Sequence, residues 1–144
     1  MGKSKKIKKT NAMRVVEDSG FDYVIFTYPW KEDTNAQETA LAIERPEGQV
    51  YKTIVLVDEK KEPLVAVIPS HKEIDLKKLA LAAGHKRVET LPLRDLEKTT
   101  GYMRGGCSPI AMRKKFPTYL AQEANELDEI IVSAGKRGLQ IGLG

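Results

Sequence analysis

Two apolar runs flanking one charged turn constrain this chain more than any other feature. They are Ile54-Val55-Leu56-Val57 and Leu64-Val65-Ala66-Val67-Ile68, separated by Asp58-Glu59-Lys60-Lys61-Glu62-Pro63. Both runs are rich in β-branched residues and bounded by turn residues, so each reads as a buried strand, the first starting near Gln49. The polar connection makes them an antiparallel hairpin with a long turn.

Other elements group around that hairpin. Thr10 or Asn11 caps a helix carrying Met13, Val15 and Val16, which stops at Gly20. Residues 21–28 are β-branched and aromatic and read as a strand ended by Pro29. Asp33 or Thr34 caps a second helix with Ala36, Ala40, Leu41 and Ile43 as its apolar positions. Asp75 caps a third, from Leu76 to Ala83, and Gly84 ends it. A strand at 86–90 and a helix at 92–100 follow, then strands at 116–121, 128–133 and 139–143, the last two joined by a turn at 135–138. Strands, helices and hairpins mixed in this way predict an α+β fold around one mixed sheet.

At 144 residues the chain makes one domain able to bury its own core. No apolar run approaches the ~20 residues of a membrane span, and no apolar segment follows the basic start as in a secretory signal. A single cysteine, Cys107, excludes an internal disulfide and any multi-cysteine metal site, and a cytoplasmic location is expected. The net charge of +4 is local in origin. Five of the 24 basic residues are Lys3, Lys5, Lys6, Lys8 and Lys9, leaving 19 against 20 acids in the rest. Residues 1–9 are therefore expected to form a flexible basic tail, and 10–144 the domain.

Chemistry concentrates in two places. Gly101-Tyr102-Met103-Arg104-Gly105-Gly106-Cys107-Ser108-Pro109 packs three glycines and a proline into nine residues. Such a loop presents backbone N–H groups that can hold a phosphate or an oxyanion, although a plain structural turn has the same composition. Lys52 stands between Tyr51 and Thr53 at the mouth of a strand otherwise strongly apolar. It either reaches solvent along the strand edge or overhangs a pocket, where it can hold a phosphate, hydroxyl or carboxylate. His71 and His85 lie in polar, turn-like settings, and no P-loop, nucleophile elbow or paired-histidine motif occurs. Cys107 has no histidine nearby in sequence to activate it. An enzyme so equipped works by positioning, with a reactive group supplied by the substrate.

Val50-Tyr51-Lys52-Thr53, Leu76-Lys77-Lys78-Leu79-Ala80, Thr100-Gly101-Tyr102, Gly105-Gly106-Cys107-Ser108-Pro109 and Gly135-Lys136-Arg137-Gly138-Leu139 follow one another in register. Together they resemble the YbaK/EbsC family of free-standing Cys-tRNA(Pro) deacylases, which are similar to the editing domain of bacterial prolyl-tRNA synthetases. The resemblance spans about residues 10–142 and implies a mixed, partly barrel-like sheet flanked by helices. It implies removal of cysteine mischarged onto tRNA(Pro), with the substrate thiol attacking its own ester and no metal or cofactor. It implies Lys52, Gly105 and Gly106 as catalytic, the glycine N–H groups holding the ester carbonyl or the terminal ribose. Tyr28, Thr53, Ser108 and Pro109 become substrate-binding residues. Arg113, Lys114, Lys136 and Arg137 are candidate contacts to the tRNA backbone. The implied partners are the acceptor end of an aminoacyl-tRNA and prolyl-tRNA synthetase, with the protein a monomer or a homodimer. Pocket width, shaped by Tyr28, Trp30 and Cys107, decides between cysteine and the alternatives alanine and serine; a non-catalytic RNA-binding module is the rival of a different class. Relatives often carry an acid where this chain has Gln140.

Overall fold

The computed structural model describes residues 8–32 and 34–144. Most of the expected tail, residues 1–7, and the expected cap Asp33 lie outside the described residues. Helix α1 (Asn11–Asp18) is capped by Thr10, whose hydroxyl accepts the Met13 N–H at 3.2 Å. Its 3.6-residue period turns Ala12, Met13 and Val16 into the core and leaves Val15 exposed. Strand β1 (Tyr23–Thr27) begins two residues later than its composition predicts. Its partner strand has ended by then, with Tyr23 opposite Leu143, so Phe21 protrudes unpaired at 69% exposure.

Helix α2 (Ala36–Ala42) is capped by Asn35 rather than by Thr34. Asn35 Oδ1 accepts the Glu38 N–H at 2.8 Å and the Glu38 carboxylate accepts the Asn35 N–H at 3.1 Å, a reciprocal box. Ala40 and Ile43 face inward; Leu41, one residue round the helix, does not, and is 80% exposed. Helix α3 (Leu76–Ala83) has the expected caps, Asp75 and Gly84. The segment expected as one helix at 92–100 is a 3-10 turn (Leu93–Asp95) leading into the short α4 (Leu96–Thr100).

Strand β2 (Tyr51–Asp58) and β3 (Pro63–Pro69) form the expected antiparallel hairpin, Tyr51 opposite Pro69 and Val57 opposite Pro63. Strand β4 (Val88–Thr90) pairs with the far end of β2, and β5 (Thr118–Leu120) runs parallel to β3. The expected single mixed sheet is instead two. One is β4-β2-β3-β5; the other is antiparallel, in the order β1-β7-β6, from β6 (Ile130–Lys136) and β7 (Leu139–Leu143). They meet at a single bridge, Val50 to Ile131, where the Ile131 N–H donates to Gln49 O at 3.0 Å, and they do not close into a barrel. Strand β6 also runs further than expected, to Lys136, through an irregularity between Ser133 and Lys136. That irregularity puts Gly135 against the Tyr102 ring, where a Cβ would stand 2.9 Å from Cε1. The glycine loop is thereby pressed onto β6 and the mouth of β2.

Candidate active site

Where the two sheets meet, a cavity of about 320 Å³ opens. Lys52 and Thr53 enter it from β2, Ser133 and Gln140 from β6 and β7, and Tyr28 and Trp30 from the segment after β1. The lead-in to α2 (Thr34 and Asn35) and the loop residues Arg104, Gly105 and Cys107 close the other side. Lys52 thus overhangs a pocket, half-buried, and takes no ion-pair partner among the described residues.

The loop owes its shape to its own polar groups. The Thr100 hydroxyl accepts the Tyr102 N–H at 3.0 Å, and the Tyr102 hydroxyl donates to Ile110 O at 2.6 Å. Ser108, fully buried, accepts the Ile110 N–H on its Oγ at 3.2 Å. Gly105 is held at φ +85° with its Cα hydrogen toward Trp30; a Cβ there would lie 2.5 Å from Trp30 Nε1. Arg137 locks this corner, its guanidinium 4.0 Å from the Trp30 ring centroid and its Nε donating to Arg104 O at 2.7 Å. Gly105→Ala is expected to displace the indole and lower turnover about tenfold, with a fall in melting temperature of about 3–6 °C, since a non-glycine left-handed residue costs about 1–2 kcal/mol. Circular dichroism and single-turnover kinetics on that variant check it.

Four of the expected site residues, Lys52, Thr53, Tyr28 and Gly105, stand together on the cavity wall. Three others do not. The Gly106 N–H is taken up by Met103 O at 3.0 Å, and its missing Cβ admits the backbone of Lys136 and Arg137, at 3.0 Å from the Arg137 nitrogen. Ser108 and Pro109 shape the loop from behind, outside the wall. Arg113, Lys114 and Lys136 are exposed, with Arg113 lying along Gly101; Arg137 is held on Trp30. The wall also includes Asn35, Arg104 and Ser133, which sequence reasoning passed over. Asn35 did carry a signal, the Asn-x-x-Glu spacing of a capping box.

No aspartate, glutamate or histidine is among the described wall residues, whose charges are those of Lys52 and Arg104. His85 lies at the opposite end of β2, Nε2 3.6 Å from Asp58 Oδ2 and Nδ1 3.5 Å from Glu59 Oε2, and His71 is exposed. Among the described residues, four buried side-chain polar atoms find no partner: Trp30 Nε1, Thr53 Oγ1, Gln140 Oε1 and the Tyr51 hydroxyl. Tyr51 packs in the core cluster with Val65, Val67 and Val132, and its pKa is raised chiefly by burial and further by the carboxylates of Glu123 and Glu126. The other three belong to the cavity. An indole N–H only donates and an amide oxygen only accepts, so a fitting ligand brings an acceptor to Trp30 and a donor to Gln140. Burial pushes the Cys107 thiol up to about 11, a neutral group at pH 7 and a poor nucleophile.

Residues 31–143 match the family described as the aminoacyl-tRNA editing domain. The chain belongs to that family. A protein of Enterococcus faecalis provisionally named Cys-tRNA(Pro)/Cys-tRNA(Cys) deacylase EbsC is 55% identical over 144 residues, 99% of this chain and 88% of that protein. Among solved structures, a provisionally named trans-editing enzyme for prolyl tRNA synthetase superposes with TM-score 0.75 at 22% identity, covering 91% of this chain and 80% of that chain. A hypothetical protein superposes with TM-score 0.81 at 18% identity, covering 91% and 86%. At those identities the two structures establish the shared fold, which is the fold of the editing domain.

Proposed function

We propose that this editing domain is a trans-acting deacylase that removes cysteine mischarged onto tRNA(Pro). The observation that carries the reading is a cavity with a half-buried lysine and three orphaned polar atoms, but no carboxylate, imidazole or ionised thiol among its described wall residues. A site so lined supplies charge and orientation, and the nucleophile comes from the substrate. Cysteine esterified to a ribose brings its own. Its sulfur attacks the ester carbonyl, a C–S bond forms as the C–O bond to the ribose breaks, and the thiol proton passes to the ribose oxygen. Free tRNA leaves, together with a cyclic thiolactone that water then opens. The Lys52 ammonium stabilises the developing charge on the carbonyl oxygen. Thr53 Oγ1 and Gln140 Oε1 take the ribose hydroxyl and the substrate's α-ammonium group. The 55% identical relative supports the substrate.

Such a second site answers a chemical problem. Cysteine and proline are close in size, so a synthetic pocket separates them poorly and the error is hydrolysed afterwards. The substrate originates with prolyl-tRNA synthetase, and the domain acts where charged tRNA circulates, in the cytoplasm. No helix among the described residues is long and apolar enough to cross a membrane.

Release of labelled amino acid from Cys-tRNA(Pro), Ala-tRNA(Pro), Ser-tRNA(Pro) and Pro-tRNA(Pro) tests the reading. Release of cysteine alone supports it. Release of alanine or serine keeps the deacylase and discards the thiol mechanism, and no release on any substrate leaves a binding module. Cys107→Ala is expected to stay within about twofold of wild type, because a thiol this hard to ionise is no nucleophile; a folded but inactive variant would sink the substrate-assisted route.

A further inference from the structure

A second hollow, of about 360 Å³, lies on the other side of Trp30, between that residue, the 3-10 turn and α4, and the glycine loop. It shares Trp30 and Arg104 with the cavity that holds Lys52. Three other hollows on the surface share no wall residue with that cavity. Resting on the deacylase reading, we infer that this groove seats the single-stranded 3′ end of the tRNA, the unpaired nucleotides that precede the terminal adenosine.

With the terminal ribose and its ester in the cavity, the strand continues outside it, and the groove that shares Trp30 and Arg104 with the cavity gives it a path. The wall is suited to it. Arg94, Arg104 and Arg137 line the groove against Glu32 and Glu97, and none of the three arginines forms an ion pair among the described residues. Leu93 and Met103 offer exposed apolar surface beside them, at 59% and 49%. The Arg137 guanidinium already sits over the indole of Trp30, 4.0 Å from the ring centroid, at the edge of the groove both residues line. Arginine planes, an aromatic and apolar side chains in one channel match unpaired bases joined by phosphates; recognition of single-stranded RNA uses stacking and charge together. Two carboxylates in the same wall disfavour a duplex laid down by phosphates alone. The exposed Arg113 and Lys114 border no part of the cavity and are not needed for this path.

The test uses uncharged RNA, so that it does not depend on which amino acid is removed. A fluorescent stem-loop copying the tRNA(Pro) acceptor stem, with and without its unpaired 3′ nucleotides, is titrated with the full chain at several salt concentrations. Arg94 is exposed on the 3-10 turn, so Arg94→Ala leaves packing intact, which its melting temperature verifies. The expected results are binding about fivefold to tenfold weaker in Arg94→Ala, a salt slope shallower by about 1, and loss of the Arg94 effect when the 3′ nucleotides are absent. Lys77→Ala, on α3 and on the wall of neither the cavity nor the groove, is the control and binds as wild type. In cysteine release, Arg94→Ala raises KM and spares kcat. Equal binding by wild type and Arg94→Ala, or weakening by Arg113→Ala and Lys114→Ala instead, overturns the groove and leaves the deacylase standing. Arg94-dependent binding without release of any amino acid does the reverse.

Discussion

Lys52→Ala is expected to lower cysteine release from Cys-tRNA(Pro) by about 100-fold or more, the loss typical of removing one preorganised stabiliser of a developing oxyanion. Of the two charged groups on the described cavity wall, Arg104 sits on the loop, with its carbonyl held by Arg137, while Lys52 comes from β2, where it is paired with Ile68 of β3. No carboxylate on the described wall competes for the ammonium, so its field acts on the substrate. The substitution is expected to spare the fold, because Lys52 contributes to the sheet through backbone pairing with Ile68, which alanine keeps. Single-turnover release, with circular dichroism alongside, is the measurement. A folded Lys52→Ala protein within tenfold of wild type would remove Lys52 from the mechanism. Lys52→Arg keeps the charge but offers a broad planar fork in place of a compact ammonium, and only partial rescue is expected.

The largest effect on stability is expected from Ile131→Ala, about 3 kcal/mol and a fall in Tm of about 10 °C. Ile131 is fully buried, packed with Tyr28, Ala40, Ile43 and Val50, and its backbone forms the one bridge that joins the two sheets. Truncation removes apolar contacts with Tyr28, Ala40, Ile43 and Val50 and opens a void beside the bridge. Tyr28 and Val50 also line the cavity that holds Lys52, so activity is expected to fall at temperatures where the chain is still folded. Thermal denaturation with an activity profile on the same preparation checks both. Leu81→Ala gives the contrast: Leu81 is 82% exposed, and a change within about 0.5 kcal/mol is expected.

Elements whose ends are written in local chemistry were legible. The Asp75 cap and Gly84 bracket α3 at the residues expected, and two β-branched runs around a charged turn form the hairpin in the expected pairing. Thr10 and Gly20 bracket α1 for the same reason. Lys52, Thr53, Tyr28 and Gly105, named from their motifs, stand on one cavity wall. The division into two sheets was not legible, because apolar alternation says which face of a strand is buried but not which strand it joins. Nor was the run of β6 through Gly135, since a Gly-Lys-Arg-Gly sequence suits a turn equally well until the Tyr102 ring fills the space above it.

The glycine pair separates the two kinds of information. By itself the sequence determined that Gly105-Gly106 would take a conformation closed to other residues and bring backbone close to something. Only the tertiary structure decided what. Gly106 admits the backbone of the β6–β7 turn and gives its N–H to Met103, while Gly105 turns toward Trp30 at the cavity wall. The permitted backbone angles are a property of the residue, whereas the partner of a given N–H depends on which distant strand arrives beside it. Here that strand is β6, carried in by the bridge between Val50 and Ile131.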